Sequence, residues 1–262
     1  GALKVLPAAL WASLLLLLGL ATAALTSPLC LIIAALDLEE RGFGLAIADL
    51  MRGEMRTLQG DWADARTLAD ELFKAGPREV LFAEGAEEKL DRVLAGTGLV
   101  SVARSPAEPW IFDPPQAGQV LMDHFGAKSL AGFGLADKPR AVAAAGALLY
   151  YMKKVRRSAL AQVDRISDLH SGGCLSLDAT TIRNLELVSN LRDGRVKDSL
   201  LDVIDFTVTA PGGRLLRAWL LRPLFDAAEI RDRLDAVEEA LRLTMDRGGT
   251  RERLAGVHDL ER

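Results

Sequence analysis

Hydrophobic and polar positions alternate with two different periods along the chain. Leu29–Leu38 (LCLIIAALDL) is an apolar run of strand length, closed by the polar turn Glu39–Gly42. Phe43–Leu50 (FGLAIADL) and Met55–Gln59 are two further strand candidates, separated by the turn Met51–Glu54. Three strands joined by short turns predict an antiparallel meander. The period then becomes helical. Ala65, Leu68, Ala69 and Leu72 share one face of a helix over Asp64–Ala75, which Gly76-Pro77 stops. Glu79–Ala83 is a short buried strand candidate, and Glu87–Ala95 a second helix with Leu90, Val93 and Leu94 on one face. Val100–Ala103 and Trp110–Phe112 are expected as edge strands around turns at Ser105-Pro106 and Glu108-Pro109. The order βββαβα predicts helices packed on a mixed sheet.

Beyond Phe112 the strand signals fade. Helices are expected over Pro114–Phe125 and Pro139–Arg157, the second carrying Val142, Ala145, Leu149, Met152 and Val155. Ile166–Leu169 and Cys174–Leu177 read as short extended pieces around Gly172-Gly173. Asp178 is placed to cap a helix over Ala179–Leu187. Ser199–Ile204, Gly213–Leu221 and Ala227–Leu243 complete a run of helices. The change of character near residues 127–140, with Gly126, Gly132, Gly134 and Pro139, predicts a domain boundary there.

Composition sharpens one part of this picture. The 262 residues are 50% hydrophobic and 26% charged, with a net charge of −4, and show no basic excess of the kind that marks nucleic-acid binding. Residues 1–36 nevertheless hold one charged side chain, Lys4. Val5–Leu25 is uncharged and long enough to span a membrane, and Lys4, the apolar run and Ala21-Thr22-Ala23 have the form of an export signal. Signal, anchor and core helix all fit the pattern. Two cysteines, Cys30 and Cys174, exclude a disulfide scaffold and a cysteine-based zinc site.

Chemistry is sparse. The chain has no G-x-x-x-x-G-K-[ST], H-E-x-x-H or G-x-S-x-G. Gly132-Phe133-Gly134 lacks the third glycine of a dinucleotide fingerprint and reads as a turn. Gly212-Gly213-Arg214 precedes a helix, and a close passage of backbones explains it better than a phosphate cradle does. His124, His170 and His258 share no motif, and Cys174 reads as a buried, inert thiol. Lys153-Lys154-Val155-Arg156-Arg157 and the series Arg214, Arg217, Arg222 read as solvated helix faces, although either could meet phosphates. Asp37 and Asp49 fall near the ends of adjacent strand candidates. Two such carboxylates could hold Mg²⁺ for phosphodiester cleavage, an alternative function as a nuclease of ribonuclease-H type.

Several stretches carry a family resemblance: LSLDATTIRNLEL at Leu175–Leu187, DVIDFTVTAPGGRLLRAWLLRPL at Asp202–Leu224, RLDAVEEAL at Arg233–Leu241 and LAGVHDLER at Leu254–Arg262. In this order they resemble the core, or lever, domain of the bacterial MutS mismatch-recognition family. Phe112–Leu135 and Ala141–Tyr151 resemble the end of that family's connector domain, and Gly44–Leu58 its opening hairpin. The resemblance covers roughly residues 29–262. It implies that the apolar segment over 1–28 is followed by an α/β ribonuclease-H-like connector over 29–135 and a mainly α-helical lever over 136–262, incomplete at its C-terminus.

The resemblance also sets functional expectations. Full-length members are homodimeric, cytoplasmic ATPases that use ATP and Mg, embrace mismatched double-stranded DNA and recruit a MutL-type partner. No position here matches their mispair-reading wedge or their nucleotide site, so no catalytic, cofactor-binding or metal-binding residue is assigned and no cofactor is expected on this chain. Arg183, Asn184 and Glu186 match an R-N-L-E run with a structural role. The expectation is therefore a fragment of a repair ATPase that serves as connector and scaffold. Leu3–Leu10 is similar to the family's linker before the connector, whereas Trp11–Pro28 has no counterpart and reads as an altered linker.

Overall fold

The first three strands of the fold form the meander that the alternation predicts. The structure is a computed structural model describing residues 32–257 except 51, 98, 100–101, 156–162 and 170–173. The expectations for residues 5–25 and Trp11–Pro28, and those for Cys30, His170 and His258, lie outside the described residues. β1 (Ile32–Leu38), β2 (Gly42–Asp49) and β3 (Glu54–Asp61) pair antiparallel in sequence order. Helix α1 (Ala65–Ala75) follows and ends at Gly76, whose left-handed φ of 58° lets its N–H reach the Leu72 carbonyl. β4 (Glu79–Ala83) then pairs parallel with β1.

After helix α2 (Glu87–Thr97), β5 (Ala103–Ala107) pairs parallel with β4. β5 runs through Ser105-Pro106, where a turn was expected, and Trp110–Phe112 lies in a single 3₁₀ turn instead of a strand. The correction has a physical basis: an edge strand has one side without a partner, so a proline is tolerated there. Helices α3 (Pro114–Phe125) and α4 (Pro139–Val155) come next, and β6 (Arg165–Asp168) returns to pair parallel with β3. The sheet order is β5-β4-β1-β2-β3-β6.

Each face of this sheet carries its own core. Ile33, Ala35, Ala46, Ala48, Met55 and Leu81 face α3 and α4. Ala34, Leu36, Leu45, Ile47, Leu58 and Val80 face α1 and α2. The near-continuous burial of β1 and β2 follows from a helix layer on both sides. α4 is the most closely packed helix: Ala141, Ala143, Ala144, Ala145 and Ala147 are buried, and a Cβ on Gly146 would sit 2.4 Å from the Ala117 Cα. Small side chains there let two backbones approach. α4 was expected to open the helical half, after a boundary near 127–140. Its burial against the sheet places it in the α/β unit, so the change of unit falls after β6.

The second unit is helical. α5 (Ala179–Asn184) begins at the Asp178 cap, which accepts the Thr181 N–H at 2.6 Å. α6 (Leu200–Ile204), α7 (Ala210–Leu221), α8 (Ala227–Arg242) and α9 (Thr244–Ala255) follow. α9 contains Gly248-Gly249, which hides its helical period in the sequence. Ile182, Leu187, Val188, Leu201 and Leu221 form a small core, with Phe73 of α1 packed against it.

Candidate interdomain joint

Helix α1 has two working faces. Leu68 and Leu72 are buried against the sheet. The opposite side meets the helical unit. Arg66 pairs with Asp178 at 2.6 Å, Asp70 accepts the Ala179 N–H at 2.8 Å, and the Arg183 guanidinium lies 5.8 Å from the centre of the Phe73 ring. The helical unit is itself tied at this point. Cys174 bridges Leu224, and the Leu175 N–H donates to the Pro223 carbonyl at 2.7 Å.

Between these contacts lies a buried ionic group. Glu71 is 8% exposed and Lys74 likewise 8%. Lys74 Nζ donates to Glu71 Oε1 at 2.8 Å, and Arg222, just past the end of α7, donates from Nη2 to Glu71 Oε2. Burial pushes the Glu71 carboxyl up, but Arg222 and Lys74 outweigh it and hold the group below the usual carboxylate range. Arg56 of β3 stands on the sheet face that α1 covers, opposite Ile47 in the ladder. Its Nε is buried without a hydrogen-bond partner. Burial, and then the charge of Arg222, pull its pKa down, while Glu54, Asp49 and Glu71 act in the opposite sense. The sequence reading missed this cluster. Glu71 and Lys74 stand three apart on a helix, a spacing that ordinarily marks a solvated face.

The structure separates the two candidate metal-binding carboxylates. In the β1–β2 ladder Asp49 lies opposite Ile32 and Asp37 opposite Gly44. Five residue pairs at ~3.3 Å each put them about 17 Å apart along the strands. They also point to opposite faces, since Asp37 shares parity with Ile33 and Ala35 while Asp49 sits beside Ile32. The nuclease expectation therefore fails on geometry. No group of three or more His, Cys, Asp or Glu stands together to hold a metal ion among the described residues.

The remaining candidates have structural partners. Thr209 caps α7 by accepting the Gly212 N–H at 3.1 Å. A Cβ on Gly213 would lie 3.4 Å from the Asp205 carboxylate, so that helix start is a poor place for a phosphate. His124 Nε2 is 2.7 Å from the Val163 carbonyl. Gly132-Phe133-Gly134 forms the end of a 3₁₀ turn. Cys174, expected to be buried, is exposed. Arg183 lies over Phe73, and Glu186 adopts a positive φ of 47° and accepts the Leu191 N–H at 2.6 Å. A groove of about 640 Å³ between α1 and α2 is floored by Ala65, Ala69 and Val93 and edged by Trp62. Of the three cations that line it, Arg66, Lys89 and Arg92, the first two are engaged with Asp178 and with the Leu38 carbonyl.

Comparison with known proteins agrees with this division. Residues 31–164 match MutS domain II, a span that includes α4, and residues 180–262 match MutS domain III. The DNA mismatch repair protein MutS of Symbiobacterium thermophilum is 40% identical over 233 residues, covering 88% of this chain and 26% of that protein. The protein of the same name from Myxococcus xanthus is 41% identical over 238 residues, with 88% and 26% covered. That from Anaeromyxobacter dehalogenans is 42% identical over 231 residues, with 88% and 25% covered. The chain thus spans about a quarter of the length of the curated relatives it matches. No helix among the described residues is long and apolar enough to cross a membrane. With its sheet unit matching the second domain, its helical unit matching the third and α1 holding the two together, the chain belongs to the MutS family.

Proposed function

We propose that this chain is the connector and the opening part of the lever of a MutS-type DNA mismatch-recognition ATPase, and that its work in that protein is mechanical. The carrying observation is the joint: one helix, α1, packs on the sheet through Leu68 and Leu72 and holds the helical unit through Arg66, Asp70, Glu71 and Phe73. Such a piece passes changes of orientation between its neighbours. Its chemistry is otherwise plain, with its strand-end carboxylates apart and its glycine-rich helix start capped by Thr209.

A meander continued by parallel strands, with helices on both faces, supports the ribonuclease-H-like description of the connector. In the whole protein the partners are mismatched double-stranded DNA, a MutL-type protein and a second copy of the chain, and ATP with Mg is used by a part that this chain does not match. Its setting is the cytoplasm, with the chromosomal DNA.

The test is a chimera. A full-length relative carrying this connector and lever segment in place of its own, expressed in a MutS-deficient bacterium, should restore a low mutation frequency. This chain alone should not restore it, and in a binding titration should show no preference for a mismatched duplex over a matched one. Strong mispair preference by the chain alone, or a chimera with no repair activity despite normal folding, would refute the reading.

A further inference from the structure

The joint holds one buried carboxylate and more than one cation able to satisfy it. Glu71 Oε1 is held by Lys74, one turn along the same helix, and Oε2 by Arg222, which arrives from the other unit. The side chains of Glu71 and Lys74 are 10% and 4% exposed, and that of Arg222 is 24% exposed. Arg222 is therefore the most accessible to water of the three. The other ion pair across the joint is weaker by nature: Arg66 is 72% exposed in its pair with Asp178, and exposed pairs contribute little.

From this geometry we infer that Glu71 is an ionic latch with two satisfied states, which sets how firmly the helical unit is held to the α/β unit. The inference rests on the mechanical reading of the joint and adds its regulation. With Arg222 seated, the joint is closed. When Arg222 leaves for water, Glu71 remains paired with Lys74, so opening does not strand a buried charge. That is the step which ordinarily makes breaking a buried ion pair costly. Arg56 biases the same equilibrium. It stands on the sheet face that α1 covers, opposite Ile47 in the ladder, with its Nε buried and unpartnered, and the charge of Arg222 acts on it. Repulsion between the two cations favours release of Arg222.

Two states of a packed element, biased by local charge, are what a coupling joint requires. The roles are distinct. Arg222 is the bolt, Lys74 keeps the open state inexpensive, and Arg56 pushes the bolt out. A static bridge would give Arg222, Glu71 and Lys74 the same sign of effect, because removing any of the three would loosen the interface. The latch gives Lys74 the opposite sign.

Amide hydrogen exchange on the full 262-residue chain at neutral pH, read in peptides covering 174–187 and 218–224, tests this. The Ala179 N–H, which donates to Asp70 across the joint, reports on its closed form. Arg222→Ala and Glu71→Gln should each raise exchange there roughly tenfold while leaving β1 and β2 peptides unchanged. Lys74→Met, which keeps the apolar stem, and Arg56→Gln should slow it severalfold.

Exchange in those peptides unchanged by Arg222→Ala and Glu71→Gln would overturn the proposal. So would acceleration, or no change, with Lys74→Met. Protection in the β1 and β2 peptides establishes that each variant is folded, and Glu71→Gln, nearly isosteric, serves if a larger change unfolds the chain. The measurement involves neither DNA nor ATP. A negative result therefore leaves the repair assignment standing, and a failed chimera leaves the latch standing.

Discussion

A side chain at Gly44 of β2 would meet the Arg140 carbonyl oxygen at the start of α4 at 2.0 Å. The same helix start is held from β3, where Gln59 Oε1 accepts the N–H groups of Arg140 at 2.8 Å and Ala141 at 3.3 Å. The sheet thus fixes α4 by contact on one strand and by hydrogen bonds from the next. Gly44→Ala should destabilise the α/β unit by about 3 kcal/mol, the upper end of overpacking costs, because the obstacle is backbone. Gly132→Ala, with open space around it, should stay within about 0.5 kcal/mol of the parent. Urea unfolding of the two variants checks the contrast.

Asp37 makes stability depend on pH. It is buried on the α4 face of β1, and burial, followed by Glu39, lifts its pKa from 3.8 to about 7 against the pull of Arg140 and Lys89. The folded chain therefore binds this proton more tightly than the unfolded chain does. The resulting stabilisation is complete below the unfolded value and is lost as pH rises through the folded one. Asp37→Asn should leave stability little changed near pH 4 and raise it on the alkaline side of 7 by on the order of 2–4 kcal/mol. Thermal or urea unfolding across that range would show it, and a variant whose gain appears in acid would contradict the assignment.

Asn190 closes the loop before α6. Its Nδ2 donates to the Lys197 carbonyl at 2.8 Å, its Oδ1 accepts the Asp193 N–H at 2.8 Å, and the side chain is buried. Asn190→Ala leaves both backbone partners short and should cost about 1–3 kcal/mol locally. Because Arg192, Arg195 and Lys197 are exposed, trypsin should cut this loop faster in the variant. Asn190→Asp, which keeps one of the two bonds, should fall between.

The sequence carried the parts of the fold that depend on local period. β4 and α3 fall on the expected residues, and α1, α2, β2 and β3 lie within two residues of them at each end. What failed depended on partners. β5 was displaced because Pro106 signals a turn unless the strand is known to lie at an edge. α4 was assigned to the wrong unit because an alanine-rich helix shows its burial only once its neighbours are in place. Asp37 and Asp49 looked adjacent because both close strands. Register, and the alternation of side chains between faces, decides such a pairing. The joint was least legible of all, since Glu71 and Arg222 are 151 residues apart and each belongs to a pattern that reads as solvated surface.

The bridge between Cys174 and Leu224 has a mechanical consequence. It brings the entry of the helical unit beside the end of α7, so α8 leaves from a point next to where the unit begins. A turn of α8 about that point would act over the whole length of the helix. α8 has 16 residues, and at 1.5 Å rise each it forms an arm about 24 Å long. A swing of roughly 10° about that point would carry its far end about 4 Å, close to the rise of three helical residues. A small change of angle where the unit begins is therefore a displacement of several ångströms at the far end of α8.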